Sequence, residues 1–191
     1  ACRIKGYTKM KKNELVDACI ETVQKEGFLE EHIFILPPDA WEFYKKVAES
    51  NNGLRCNTKQ ANYVISEKLG FLYVEKCENE YWFVVPDEIK EVYNELIKSG
   101  FSDAKEFADL IHQYAQAAVN LYGVIPQREL VEIFNSQNVQ KTDVDINFNV
   151  YMKHIYLDAE YCLWEEYVVH ENFEDDDFES VRELIRDIAN K

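Results

Sequence analysis

Glycine and proline are scarce, six and four in 191 residues. The phosphate-cradling patterns GxxxxGK[S/T] and GxGxxG do not occur, and neither do GxSxG or HExxH. A nucleotide-binding loop, a nucleophile elbow and a zinc-hydrolase helix are therefore not expected. The five cysteines (Cys2, Cys19, Cys56, Cys77, Cys162) form no CxxC pair. Their odd number argues against a complete disulfide framework, so free thiols are expected. No apolar run approaches the roughly 20 residues that cross a bilayer. Lys5, Lys9, Lys11 and Lys12 are followed by no apolar signal core, so the expected compartment is the cytoplasm, with no membrane partner.

Positive charge is also in short supply, 21 basic against 36 acidic residues, for a net −15. Its distribution is uneven: +3 over residues 1–25, −6 over 26–100, −3 over 101–157 and −9 over 158–191. A field of that sign repels phosphate over most of the surface, which confines any nucleic-acid contact to the N-terminal end.

Apolar and aromatic residues are plentiful, 47% and 14%, enough for a sizeable core. One pattern occurs twice. LGFLYVEKCENEYWFVVPDE (69–88) and KHIYLDAEYCLWEEYVVHEN (153–172) each run from an apolar stretch through a polar break to an aromatic pair and two valines. Both read as β-hairpins, with turns near Glu78 to Glu80 and tip residues Asp158 and Glu160 in the second.

The opening KGYTKMKKNELVDACI becomes a helix capped at Thr8, with Leu15, Cys19, Ile20 and Val23 at helical spacing and Gly27 as the stop. These residues resemble the second half of the helix, extended loop, helix module at the N-terminus of transcription termination factor Rho, a relative in shape of the SAP module. The resemblance covers about 20 residues. Only the tail of that module's first helix, Ala1 to Ile4, is represented, and native residues are expected to precede it. The resemblance implies contact with single strands or phosphates through Lys5, Tyr7, Lys9, Lys11 and Lys12. An ordinary solvated helix start accounts for the same residues. The whole chain is also loosely similar to uncharacterised proteins of Gram-positive bacteria and phages, some carrying an SEC-C motif, whose cysteines are not in this sequence.

The rest of the chain reads as a repeated order. HIFIL is a short β-branched run ending at Leu36, followed by a helix with Pro38 ahead of an Asp39-x-x-Glu42 capping box, and then by a helix from Thr58 to Lys68. After the first hairpin, Pro86 and Asp87 open a helix that ends at Gly100. A long helix from Ser102 to Tyr122, a short strand at Ile125, a proline-started helix and a helix from Thr142 to Lys153 precede the second hairpin. Carboxylates then crowd the start of a last helix. The halves align with offsets of 89 (Leu36/Ile125) and 84 (Val85/Val169). The expected fold is α+β and mostly helical. It comprises two tandem winged-helix-like modules, each with a hairpin wing, over residues 1–100 and 101–191.

A winged helix reads duplex DNA through its third helix. Here those helices offer Lys59, Gln60, Asn62 and Lys68 in one module, but Asp143 and Asp145 ahead of Lys153 in the other. His32, His112, His154 and His170 are dispersed, and a His170–Cys162 pair has no supporting motif. No catalytic residue, metal or cofactor is expected, and the acidic run 174–177 reads as a helix cap rather than a calcium loop. Trp41, Trp82, Trp164 and Tyr167, with Tyr81, are expected partner anchors, and Asp175, Asp176 and Asp177 an acidic docking face. Core packing is the commoner reason for such aromatics. The expected function is a non-catalytic regulatory or adaptor protein docking protein partners, transcription-associated or a phage nucleic-acid mimic. The alternative is a nucleic-acid binder working through the N-terminal lysines.

Overall fold

A computed structural model describes residues 7–25, 27–57, 71–142, 159–173, 183 and 186. A short 3-10 turn (Tyr7–Lys9) leads into α1 (Lys12–Val23), α2 (Phe28–Phe34) and α3 (Pro38–Glu49). β1 (Leu54–Cys56), β2 (Tyr73–Cys77), β3 (Glu80–Val84) and α4 (Asp87–Lys98) follow. Next come the long α5 (Phe101–Tyr122), β4 (Val124–Pro126), α6 (Gln127–Gln137), β5 (Tyr161–Trp164), β6 (Tyr167–His170) and a 3-10 turn (Glu171–Phe173). The fold is α+β with two three-stranded antiparallel sheets, and the chain divides into units Ala1–Ser102 and Asp103–Lys191.

In the first unit the HIFIL run is not extended: His32 to Phe34 close a helix, and Ile35 and Leu36 follow in a turn. Leu29 and Ile33, four apart, are both buried together with Phe34, and α2 packs on α1 and α4. Burial at helical spacing outweighs the β-propensity of a short run. Pro38 occupies the first helical position of α3 rather than lying ahead of the cap, which suits a residue with no N–H to satisfy. Asp39 accepts from the Ala40 N–H at 2.8 Å, while Glu42 pairs with Lys45 at 2.6 Å, so the expected reciprocal box does not form. Trp41, Tyr44 and Tyr93 pack with ring centroids 6.0–6.4 Å apart, and Phe43 stands edge-on to Phe83 at 4.9 Å.

The strand expected at Leu36 is supplied instead by β1, three residues too short for alternation to reveal. β1 and β2 flank β3, so the sheet order is β1-β3-β2. Leu54 and Val74 both oppose Phe83, which is fully buried on the inner face.

The second unit repeats that sheet as β4-β6-β5, with Ile125 and Leu163 opposing the buried Val168. Ile125, Val168 and Tyr161 join Phe107, Ile111 and Ala115 of α5 and Leu130 and Phe134 of α6 in one core. The long α5 and its stop at Gly123, which has φ +74°, match the sequence reading. The ladders revise the internal alignment. Leu54, not Leu36, corresponds to Ile125, and Val84, not Val85, corresponds to Val169. A one-residue slip would move the valine to the opposite face.

The helices expected at 58–68 and from Thr142 to Lys153 lie outside the described residues, apart from Thr142 itself. The acidic terminal helix does too, save for helical Glu183 and Arg186.

Candidate functional site

Both hairpins turn on two residues, and in both the first is a glutamate with positive φ: Glu78 at 53° and Glu165 at 51°. Glycine or asparagine is the low-cost residue there, because a Cβ crowds the backbone at positive φ. The second tip is therefore Glu165–Glu166 rather than Asp158 and Glu160. Glu160 sits just ahead of β5, and Asp158 is outside the described residues. Glu78, Asn79, Glu165 and Glu166 are all exposed.

The two tips are held differently. β3 runs three residues from the turn before it opposes Leu54, whereas Val168 opposes Ile125 one residue after Tyr167. The first strands end at Cys56, opposite Tyr81, and at Pro126, opposite Tyr167, so the first hairpin extends one residue, about 3.4 Å, further past its first strand. The second is flush with the start of α6, where the buried Gln127 donates its backbone N–H to the Glu166 carbonyl (2.9 Å) and its Nε2 to the Glu165 carbonyl (3.1 Å).

The outer sheet faces differ as well. Val124 and Val169 are buried on the outer face of the second sheet, with Cys162, Trp164, Tyr167 and Phe173 packed around them. On the first sheet, Gly53, one residue ahead of β1, stands where Val124 stands in the second, and Trp82 covers it. A Cβ on Gly53 would lie 2.7 Å from Trp82 Nε1, which donates to the Asn52 carbonyl at 2.9 Å. Arg55, Trp82 and Glu75 form one cross-strand row beside Tyr73, which is 56% exposed.

Of the expected anchors, Trp41 is withdrawn from the surface. It is 1% exposed, wedged against Tyr44, Tyr93 and Phe101. Trp82, Tyr81, Trp164 and Tyr167 are half-buried. Asp175, Asp176 and Asp177 lie outside the described residues. Tyr7 (61% exposed), Lys9, Lys11 and Lys12 form an open group at the start of α1; Lys5 is outside the described residues. That helix start is held by the Lys11 N–H donating to Glu14 at 2.8 Å.

The histidines serve local packing and bonding. His32 Nδ1 bonds the Phe28 carbonyl at 2.7 Å, and its ring lies 4.5 Å from Phe28. His170 Nδ1 accepts from the Asn172 N–H at 3.2 Å. Cys162 opposes Val169 on the outer face, while His170 opposes Tyr161 on the inner one, so the Cys162–His170 pair is not brought together. His154 is outside the described residues. Cys19, Cys56, Cys77 and Cys162 are half-buried rather than buried.

The sequence reading missed a polar stripe on α5. Lys105, Asp109 and His112 recur at i, i+4 and i+7 and are all buried. Lys105 bonds Asp109, His112 bonds the Tyr161 hydroxyl, and Gln116 exchanges two bonds of 3.1 Å with Glu160. Burial holds the Lys105 ammonium below its ordinary pKa, with Asp109 opposing that shift. The signal was there at helical spacing, but charged residues on one face of a long helix ordinarily face solvent.

Among the described residues, no three His, Cys, Asp or Glu side chains converge to hold a metal ion, and no helix is long and apolar enough to cross a membrane. The chain matches no protein-family model, no curated protein and no solved structure.

Proposed function

We propose that this protein is a non-catalytic adaptor or regulatory protein with two winged-helix-like units, and that its acidic hairpin tips dock against a basic protein surface. The shared order of the two sheets, with each unit's first strand against its third, supports the winged-helix-like reading. The observation that carries the docking reading is the paired positive-φ glutamates. Each tip accepts backbone strain of about 1–2 kcal/mol that a glycine would relieve. Strain retained at the same acidic position in both units is what a functional demand for the carboxylate produces. Wings of a duplex reader would meet phosphate, and these carry the wrong sign for it. A transcription complex or a defence enzyme with a basic groove is a partner of suitable chemistry.

The test uses the full chain as bait. It should retain a stoichiometric partner whose binding weakens with salt, and Glu78→Gly with Glu165→Gly should weaken capture while raising the melting temperature. Unchanged capture by the relaxed double variant removes the reading, since a merely structural turn would gain stability and lose nothing.

A second reading rests on the exposure of Tyr7, Lys9, Lys11 and Lys12 together, an aromatic face among cations, in the segment that resembles the Rho module. Replacing the three lysines with alanine should abolish a gel shift with single-stranded RNA or DNA at about 100 mM salt. No shift by the unaltered chain removes it.

A further inference from the structure

We infer that the outer edge of β2 is a docking strand for an extended, basic segment of another protein, added to the first sheet as a fourth strand. The inference deepens the adaptor reading and rests on it.

Strand register decides which backbone groups are free. A two-residue turn closes on a hydrogen-bonded pair, so Cys77/Glu80, Glu75/Trp82 and Tyr73/Val84 bond within the hairpin. Val74 and Lys76 then turn their N–H and C=O away from β3. The second sheet shows the same alternation directly: His170 bonds Gly123 at 2.8 Å, and Glu171 bonds Glu160 at 2.9 Å. β2 is an edge strand, and the outward groups of Val74 and Lys76 have no partner among the described residues. In the second unit the approach to the equivalent edge is held by Gln116, which bonds the Glu160 N–H and carboxylate just ahead of β5. Among the described residues β2 has no such device.

Charge selects the occupant. Glu75 is exposed in mid-strand, and Glu78 and Glu80 follow it along the hairpin. Arg55 lies on the far side of Trp82 and makes its 4.0 Å contact with Glu80, so that Glu75 has no ion pair among the described residues. In an antiparallel addition, Glu75 faces the incoming residue across a non-hydrogen-bonded pair, with Cα atoms about 4.5 Å apart. A lysine or arginine suits that place, and an apolar residue suits the next one along, which faces Val74 on the other side of the sheet. A second copy of this chain fits poorly, because antiparallel self-pairing centred on the strand sets Glu75 against Glu75.

The probes are two acetylated nine-residue peptides, one alternating valine with lysine and the other valine with glutamate, added to the isotope-labelled full chain. The lysine peptide should slow amide exchange at Val74 and Lys76, and the glutamate peptide should not. Lys76→Pro should abolish binding without unfolding the protein, since its N–H lies outside the ladder. Should that variant fail to fold, Glu75→Lys still reads the edge: it should weaken the lysine peptide about fivefold or more and admit the glutamate peptide. Peptide binding without added protection at Val74 and Lys76 overturns the proposal, as does a dimer of the unaltered chain that Lys76→Pro dissociates. Partner capture that survives Lys76→Pro and Glu75→Lys but is lost with the relaxed tips would sink the edge and leave the adaptor reading standing.

Discussion

Gln127 holds the second hairpin at Glu165, its Nε2 donating to that residue's carbonyl at 3.1 Å while its backbone N–H donates to Glu166. One residue at the start of α6 thus pins a turn that is separated from it by some 38 positions in sequence. Replacing it with alanine should cost about 1 kcal/mol, the net worth of one such bond plus an unsatisfied carbonyl. Amide exchange should quicken in β5 and β6 and stay unchanged in β2 and β3. Equal effects on both hairpins would show that the bond is not what secures the turn.

Glycine at either tip glutamate should stabilise. Glu78→Gly and Glu165→Gly each relieve a positive φ, for a gain of about 1 kcal/mol, partly offset by the greater freedom of glycine in the unfolded chain. Valine at the same places should destabilise, since a β-branched side chain tolerates that backbone least. Thermal melts of the four variants check the ordering.

Gly53 and Gly123 both have positive φ, yet alanine should be far worse at the first. Its Cβ would fall 2.4 Å from the Phe83 carbonyl, a backbone atom in the central strand, whereas at Gly123 the nearest atom is the Phe173 ring at 3.1 Å. Gly53→Ala should cost about 3 kcal/mol or more, and Gly123→Ala about 1–2. Denaturant midpoints separate them, and equal losses would contradict the close approach at β3.

Tyr44 and Tyr93 set the alkaline limit of the first unit. Burial, aided by Glu49 beside Tyr93, raises both phenols well above their ordinary value of about 10. Above pH 10 the unfolded chain therefore releases these protons while the folded chain retains them. Stability then falls as pH rises beyond 10 and is unaffected by these groups below it. The Tyr44 hydroxyl is buried without a hydrogen-bond partner among the described residues. Tyr44→Phe should accordingly be neutral or stabilising by about 1 kcal/mol and should flatten the alkaline slope. A loss of several kcal/mol at pH 7 would mean that the hydroxyl has a partner after all.

Tertiary structure corrected the sequence reading where several patterns compete. HIFIL has the composition of a strand, but Leu29, Ile33 and Phe34 bury a helical face against α1 and α4, and packing decides between two weak local preferences. β1 has only three residues, and it exists because Phe83 offers Leu54 a register. The twin tryptophans of the first unit carry no local mark of their fates: Trp41 is packed against three aromatic neighbours, while Trp82 lies over Gly53 at the surface.

The sequence by itself determined the features that local chemistry controls. These are α4 between Pro86 and Gly100, the long α5 ending at Gly123, two hairpins, the first turn at Glu78, the basic start and the acidic remainder. Proline, glycine, helical periodicity and net charge act within a few residues or over the whole chain, so they can be read without coordinates. Only the tertiary structure decided the inner and outer faces of each sheet, the tip at Glu165, the polar stripe on α5 and the open edge of β2. Each depends on which strand or helix arrives from far along the chain, and a shift of one residue in that pairing exchanges a buried side chain for an exposed one.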